Sequence, residues 1–135
     1  MALIMWNEDF RVNITEIDAQ HKKLIELINE LHEAMKVAKG KDVMGHILSE
    51  LVNYTVYHFG TEEKLFQKHG YPEIVKHKKQ HDDLTRQVMD TADKFNKGGN
   101  IITVEVMTFL KDWLQSHILR VDKRYAPFLN SKGVV

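Results

Sequence analysis

The chain has 135 residues, enough for one compact domain with a single core and too few for two. Nineteen basic residues offset nineteen acidic ones, so no global field points to nucleic acid or an anionic membrane surface, and the absence of cysteine removes disulfides, Fe–S clusters, thiolate zinc sites and a thiol nucleophile together. The opening Met1 to Trp6 is apolar but has no cationic leader, and no apolar run approaches the roughly 20 residues of a membrane span, so the expectation is a cytoplasmic protein without membrane insertion.

Residues 1–14 show no clear period and are expected to form an N-terminal arm, with Trp6 and Phe10 packed on the outside of whatever follows. Four segments of helical period come next. The first, about 18–38, carries His21, Leu24, Ile28, Leu31 and Met35 at three-four spacing, with Asp18 as its cap. The second, about 42–69, places Met44, Ile47, Leu51, Tyr54, His58, Glu62 and Leu65 on one stripe. In the third, about 72–95, the stripe reads Ile74, His77, His81, Leu84, Val88 and Phe95. The fourth, about 101–124, gives Ile102, Val106, Phe109, Leu110, Trp113, Leu114, His117, Ile118 and Val121, with Asp122 continuing the row of Leu114 and Ile118.

The breaks between these segments are Ala38-Lys39-Gly40, His69-Gly70-Tyr71-Pro72 and Lys97-Gly98-Gly99-Asn100, in which glycine suits the position after a helix and Pro72 the first position of the next. Such short links imply antiparallel neighbours, and the whole is predicted to be one all-α domain, an up-down-up-down antiparallel four-helix bundle. The Lys-rich run Lys76, Lys78 and Lys79 then reads as a solvated face.

The apolar stripes are interrupted by seven polar residues: His21, His58, Glu62, His77, His81, His117 and Asp122. A buried carboxylate or unpaired imidazole costs several kcal/mol unless a partner or a metal compensates it. One inward histidine is usually a hydrogen-bonded core residue; five, with two acids, on four helices point instead to a metal site. His58 and Glu62 are four apart, as are His77 and His81, which sets each pair about 40° apart on its helix and within reach of one ion. His117 and Asp122 are five apart, roughly 140° on an ideal helix, so they must flank the seam or sit on a locally widened turn. Imidazole and carboxylate without thiolate suit iron, manganese or zinc, and seven such ligands are too many for one tetrahedral zinc, so two metals fit the count. His46 lies on the outward face, His32 at the edge of its stripe, and His69 in the last turn before Gly70, about 10 Å along the axis from Glu62, so none is expected to be a ligand.

The combination of His-x-x-x-Glu at 58–62, His-x-x-x-His at 77–81 and His-x-x-x-x-Asp at 117–122, after Ile17-Asp18-Ala19-Gln20-His21-Lys22, resembles the hemerythrin family, in particular its stand-alone bacterial members. The resemblance spans nearly the whole chain. It implies a non-haem di-iron centre in which His77, His81 and His117 bind one iron and His21 and His58 the other. Glu62 and Asp122 would bridge both, with an oxo or hydroxo group as third bridge. That count leaves one iron five-coordinate, and the implied function is reversible binding of dioxygen there, for storage, transport or delivery, rather than enzymatic turnover. Trp113, Leu114 and Ile118 are placed to form a dry wall of the oxygen pocket, besides packing the core, and Tyr125 is placed to reach the outer shell of the site.

A ferritin-like oxidase would need Glu-x-x-His pairs, which the sequence lacks. An oxygen or redox sensor is a second reading, set back by the short tail from Asn130 to Val135, where no output module follows. A di-iron enzyme acting on peroxide or nitric oxide ranks below oxygen binding, because no further inward acid, base or nucleophile is evident. The protein recipient of the oxygen is not indicated, and without a large exposed apolar patch a monomer is expected.

Overall fold

A computed structural model describes residues 3–36, 41–96 and 104–135. It is all-helical among these residues, with α1 at Thr15–Lys36, α2 at Lys41–His69, α3 at Ile74–Asn96 and α4 at Val104–Ser116. The fourth rod does not stop at Ser116. It continues through a π-helical segment, His117–Asp122, into α5 at Lys123–Ser131. Four antiparallel rods therefore form the predicted up-down-up-down bundle. Two of the expected breaks, Ala38-Lys39-Gly40 and Lys97-Gly98-Gly99-Asn100, lie outside the described residues, as do Ile102 and the side chain of Val106.

The described break after α2 shows how the chain reverses. Gly70 has φ +70°, Tyr71 N–H donates to Phe66 C=O at 3.0 Å, and the two rings meet at 4.9 Å. This is the Schellman arrangement with its accompanying apolar contact, and glycine is needed because a side chain resists positive φ. The same device ends α5, where Gly133 has φ +85° and Val134 N–H donates to Leu129 C=O at 3.0 Å. Pro72 falls in the turn, two residues before α3, instead of opening the helix. Asn130 and Ser131, expected in the tail, complete α5.

The arm departs most from expectation. Phe10 is buried in the main core beside Leu24, Ile28 and Leu31, while Trp6 is half-buried against the same cluster. Asn29 clamps the arm by accepting from Ile4 N–H at 2.9 Å and donating to Ile4 C=O at 2.8 Å. Asp18 lies inside α1 and caps the arm instead, its Oδ1 accepting from Val12 N–H at 2.8 Å. The arm thus buries Ile4, Phe10, Val12 and Ile14, which a search for helical period could not reveal. Phe109, expected inward, faces out at 38% exposure.

The core is split in two. The larger cluster runs from Phe10 and Leu24 to Phe95 and Leu114, and the smaller joins Val12, Ile17, Phe66, Tyr71, Tyr125 and Leu129. Among the described residues no helix is long and apolar enough to cross a membrane.

Candidate metal centre

The polar residues of the stripes meet inside the bundle. α1 supplies His21, α2 supplies His58 and Glu62, α3 supplies His77 and His81, and the π segment supplies His117 and Asp122; all seven are buried. Glu62 Oε1 lies 3.3 Å from His58 Nε2 and 3.2 Å from His81 Nε2. Asp122 Oδ1 lies 3.2 Å from His77 Nε2 and 3.1 Å from His117 Nε2, while its Oδ2 is 3.0 Å from His21 Nε2.

The donor atoms form two sets. One comprises Glu62, His77, His81, His117 and Asp122, the other His21, His58, Glu62 and Asp122, and within each set the atoms lie within 4.8 Å of one another. Both carboxylates belong to both sets. Nε2 of His21, His77, His81 and His117, Oε1 of Glu62 and both Asp122 oxygens are buried without a hydrogen-bond partner. Their close approaches therefore leave lone pairs aimed at common points, an arrangement that is costly unless cations occupy those points. A nitrogen and oxygen donor set of this kind fits a metal centre of borderline or hard cations.

Electrostatics keep both carboxylates and His58 in ligating form. Burial and the Asp122 charge push the Glu62 carboxyl up, but His58 and His81 outweigh them and hold it at about 2. Asp122 is likewise held well below the usual carboxylate range, the neighbouring His117, His21 and His77 overcoming its burial. His58 is pushed down to about 4, chiefly by burial, so its ring is neutral. Burial pushes the His117 group down, but the charge and hydrogen bond of Asp122 together with the Glu62 charge outweigh it and raise that group.

A π turn holds one more residue than an α turn, so positions five apart come back to the same side. Lys123 N–H accordingly bonds Ile118 C=O, five residues earlier, and His117 and Asp122 share the seam. Of the two outcomes that the five-residue spacing left open, flanking the seam or a widened turn, the structure has the widened turn.

The family model of the Hemerythrin HHE cation binding domain matches residues 12–129, which include all seven residues. The chain belongs to the hemerythrin family. It is 36% identical to a bacteriohemerythrin of Methylococcus capsulatus over 132 residues, 97% of this chain and 100% of that one. A bacteriohemerythrin of Stenotrophomonas maltophilia is also 36% identical, over 93% of this chain and 81% of its own. A crystal structure of wild-type hemerythrin superposes with a TM-score of 0.89 at 36% identity, covering 95% of this chain and 98% of that one.

In this hemerythrin-family chain an outer set of residues orients the imidazoles. Gln20 Oε1 lies 2.7 Å from His58 Nδ1, and Gln20 Nε2 donates to Thr61 Oγ1 at 3.3 Å. Glu63 Oε2 lies 3.1 Å from His81 Nδ1. Both acceptors require the proton on Nδ1, which leaves Nε2 free to face the centre. The phenol of Tyr125 donates to Glu62 Oε2. Sequence reasoning missed Gln20 and Glu63. Each adjoins a site residue in sequence, a step of about 100° around the helix that turns it toward the neighbouring rod.

Of the three residues expected to wall an oxygen pocket, Trp113 and Leu114 line an apolar cavity of about 20 Å³ together with Leu24, Leu51, Phe59 and Leu84. Ile118 is fully buried but does not line it. The cavity adjoins the cluster through two stacked pairs, Trp113 on His117 with ring centres 4.6 Å apart and Phe59 on His81 at 3.8 Å. His32, His46 and His69 belong to neither donor set, and His46 is exposed, 3.1 Å from Glu50.

Proposed function

We propose that this chain binds molecular oxygen reversibly at a di-iron centre held by the seven clustered residues. His77, His81 and His117 would hold one iron and His21 and His58 the other, with Glu62 and Asp122 bridging them and an oxo or hydroxo group as the third bridge. The observation that carries this reading is the pair of donor sets that share both carboxylates. Three imidazoles on one side and two on the other would leave the second ion one ligand short, and a small molecule would bind there. When bound, a ferrous pair supplies the two electrons that dioxygen takes up on binding and returns on release.

The chain's own contribution is to keep that exchange reversible. Phe59, Trp113 and Leu114 give the centre an apolar neighbour that offers too few polar partners to hold ordered water well. Tyr125 is the buried proton carrier nearest the bridging Glu62, and burial together with the Glu62 and Asp122 charges raises its pKa well above the usual value, so it keeps its proton. No ready acid is thus offered to the bound molecule, which favours carriage over turnover. The bacteriohemerythrin names of the relatives accord with this reading. A monomer in the cytoplasm, as expected from the sequence, is part of the same proposal.

The test is iron content per chain with the visible spectrum recorded after anaerobic reduction, in air, and after oxygen removal. Two irons and an absorption band that comes and goes with oxygen are expected. One-way oxidation to a fixed diferric spectrum would reject reversible carriage and favour a sensor or an enzyme.

A further inference from the structure

The outer partners of the imidazoles differ in charge. His58 Nδ1 faces the neutral amide of Gln20, and His21 Nδ1 is buried with no hydrogen-bond partner. His81 instead has a carboxylate on each side, with Glu62 Oε1 3.2 Å from Nε2 and Glu63 Oε2 3.1 Å from Nδ1. Its ring lies flat against Phe59, with 4° between the planes, so it cannot turn away from either. Among the described residues no other imidazole of the cluster has a carboxylate on its Nδ1.

Glu63 in turn meets the surface. Its side chain is 21% exposed, and Lys78 Nζ lies 3.8 Å from Glu63 Oε1 and 3.2 Å from Asp82 Oδ2. Lys78 is 55% exposed, so it competes for the Glu63 charge from solvent.

We propose that Glu63 is a positioning residue that fixes the tautomer of His81 and raises its donor strength, and that Lys78 moderates Glu63 from the surface. This rests on the di-iron reading of the site. A carboxylate on the outer nitrogen of a ligating imidazole pulls its proton, makes the ring a stronger donor and stabilises the higher oxidation state of the metal it holds. Loss of the Glu63 charge therefore raises the reduction potential. Loss of the Lys78 charge leaves Glu63 free to act more fully on His81, and lowers it. The Lys78 effect is screened by salt, because that charge is in solvent.

The experiment uses the iron-loaded full chain and the variants Glu63→Gln and Lys78→Met, with spectroelectrochemical midpoint potentials and iron release to a chelator as readouts. Glu63→Gln is expected to shift the midpoint upward and to release iron about tenfold faster or more. Lys78→Met is expected to shift the midpoint downward at low salt while keeping two irons, with a smaller shift at high salt. Two irons and an unchanged midpoint in both variants, or shifts of the same sign, would overturn the assignment. If Glu63→Gln does not fold, the sign and salt dependence of the Lys78→Met shift decide alone. Wild-type chain that takes up no iron pair would overturn the underlying reading, and the inference with it, by a separate observation.

Discussion

Tyr125 and Glu62 are joined by a hydrogen bond from the phenol to Oε2, at a point where both side chains have no exposure to solvent. The bond ties α5, beyond the π segment, to α2 about two turns before its C-terminal end, and it satisfies the one Glu62 oxygen that does not face the imidazoles. Tyr125→Phe keeps the ring packed on Phe66, at 5.0 Å, and removes the donor alone. Hydrogen bonds to charged groups contribute roughly 1.5–3 kcal/mol, so the metal-free variant should lose about that much stability. Urea denaturation of both chains after chelation measures it; an unchanged midpoint would mean that water replaces the phenol.

The shared carboxylates should matter more to metal than any outlying histidine. Glu62→Ala or Asp122→Ala removes a donor from both sets at once, whereas His46 is an exposed residue outside them. Iron per chain, determined by elemental analysis after reconstitution, is expected to fall steeply in the first two variants and to stay at the wild-type value in His46→Ala. Equal iron in all three would sink the ligand assignment.

Acid should destabilise the metal-free chain in two windows. His58 titrates at about 4 when folded against 6.5 unfolded, so the unfolded chain binds the extra proton and stability falls as pH drops from 6.5 through 4. Glu62 sits at about 2 against 4.5, and its stabilisation, present above 4.5, is lost as pH falls toward 2. His117 has the opposite sense: its raised pKa gives stability that is full below 6.5 and lost at higher pH, so it does not offset the first window. Thermal midpoints of the metal-free chain from pH 7 to 3 should decline through the first window, and His58→Gln should flatten that part of the curve.

Gly70 isolates a purely conformational cost. A methyl group there would meet nothing within 4 Å, yet φ is +70°. Gly70→Ala should therefore cost about 1–2 kcal/mol through left-handed strain alone. Iron binding should be unaffected, since the turn lies beyond α2 and away from the donor sets. A variant as stable as wild type would show that the turn relaxes.

The clustered polar residues were legible because three of the four helices announce them by period. His58 with Glu62 and His77 with His81 stand four apart on stripes that are otherwise apolar, and a stripe is a local property of one helix. Phe10 escaped that logic: the arm has no period, and it is buried by a clamp on Asn29 that joins positions 25 apart. Glu63 and Gln20 escaped it as well, since a polar residue beside a ligand looks like any solvated neighbour until the next helix is placed against it.

The apolar stripes and short breaks thus determined the bundle, and the polar residues that interrupt the stripes determined the donor types, while the spacing of His117 and Asp122 left a choice between flanking the seam and a widened turn. Periodicity carries that information because each helix must bury one face. Which oxygen of Asp122 meets which ring, that both carboxylates serve both donor sets, and that Tyr125 and Glu63 reach the cluster from outside were decided only by tertiary structure. Those relations run between rods, and side chains far apart in sequence acquire a common neighbour only when the rods pack.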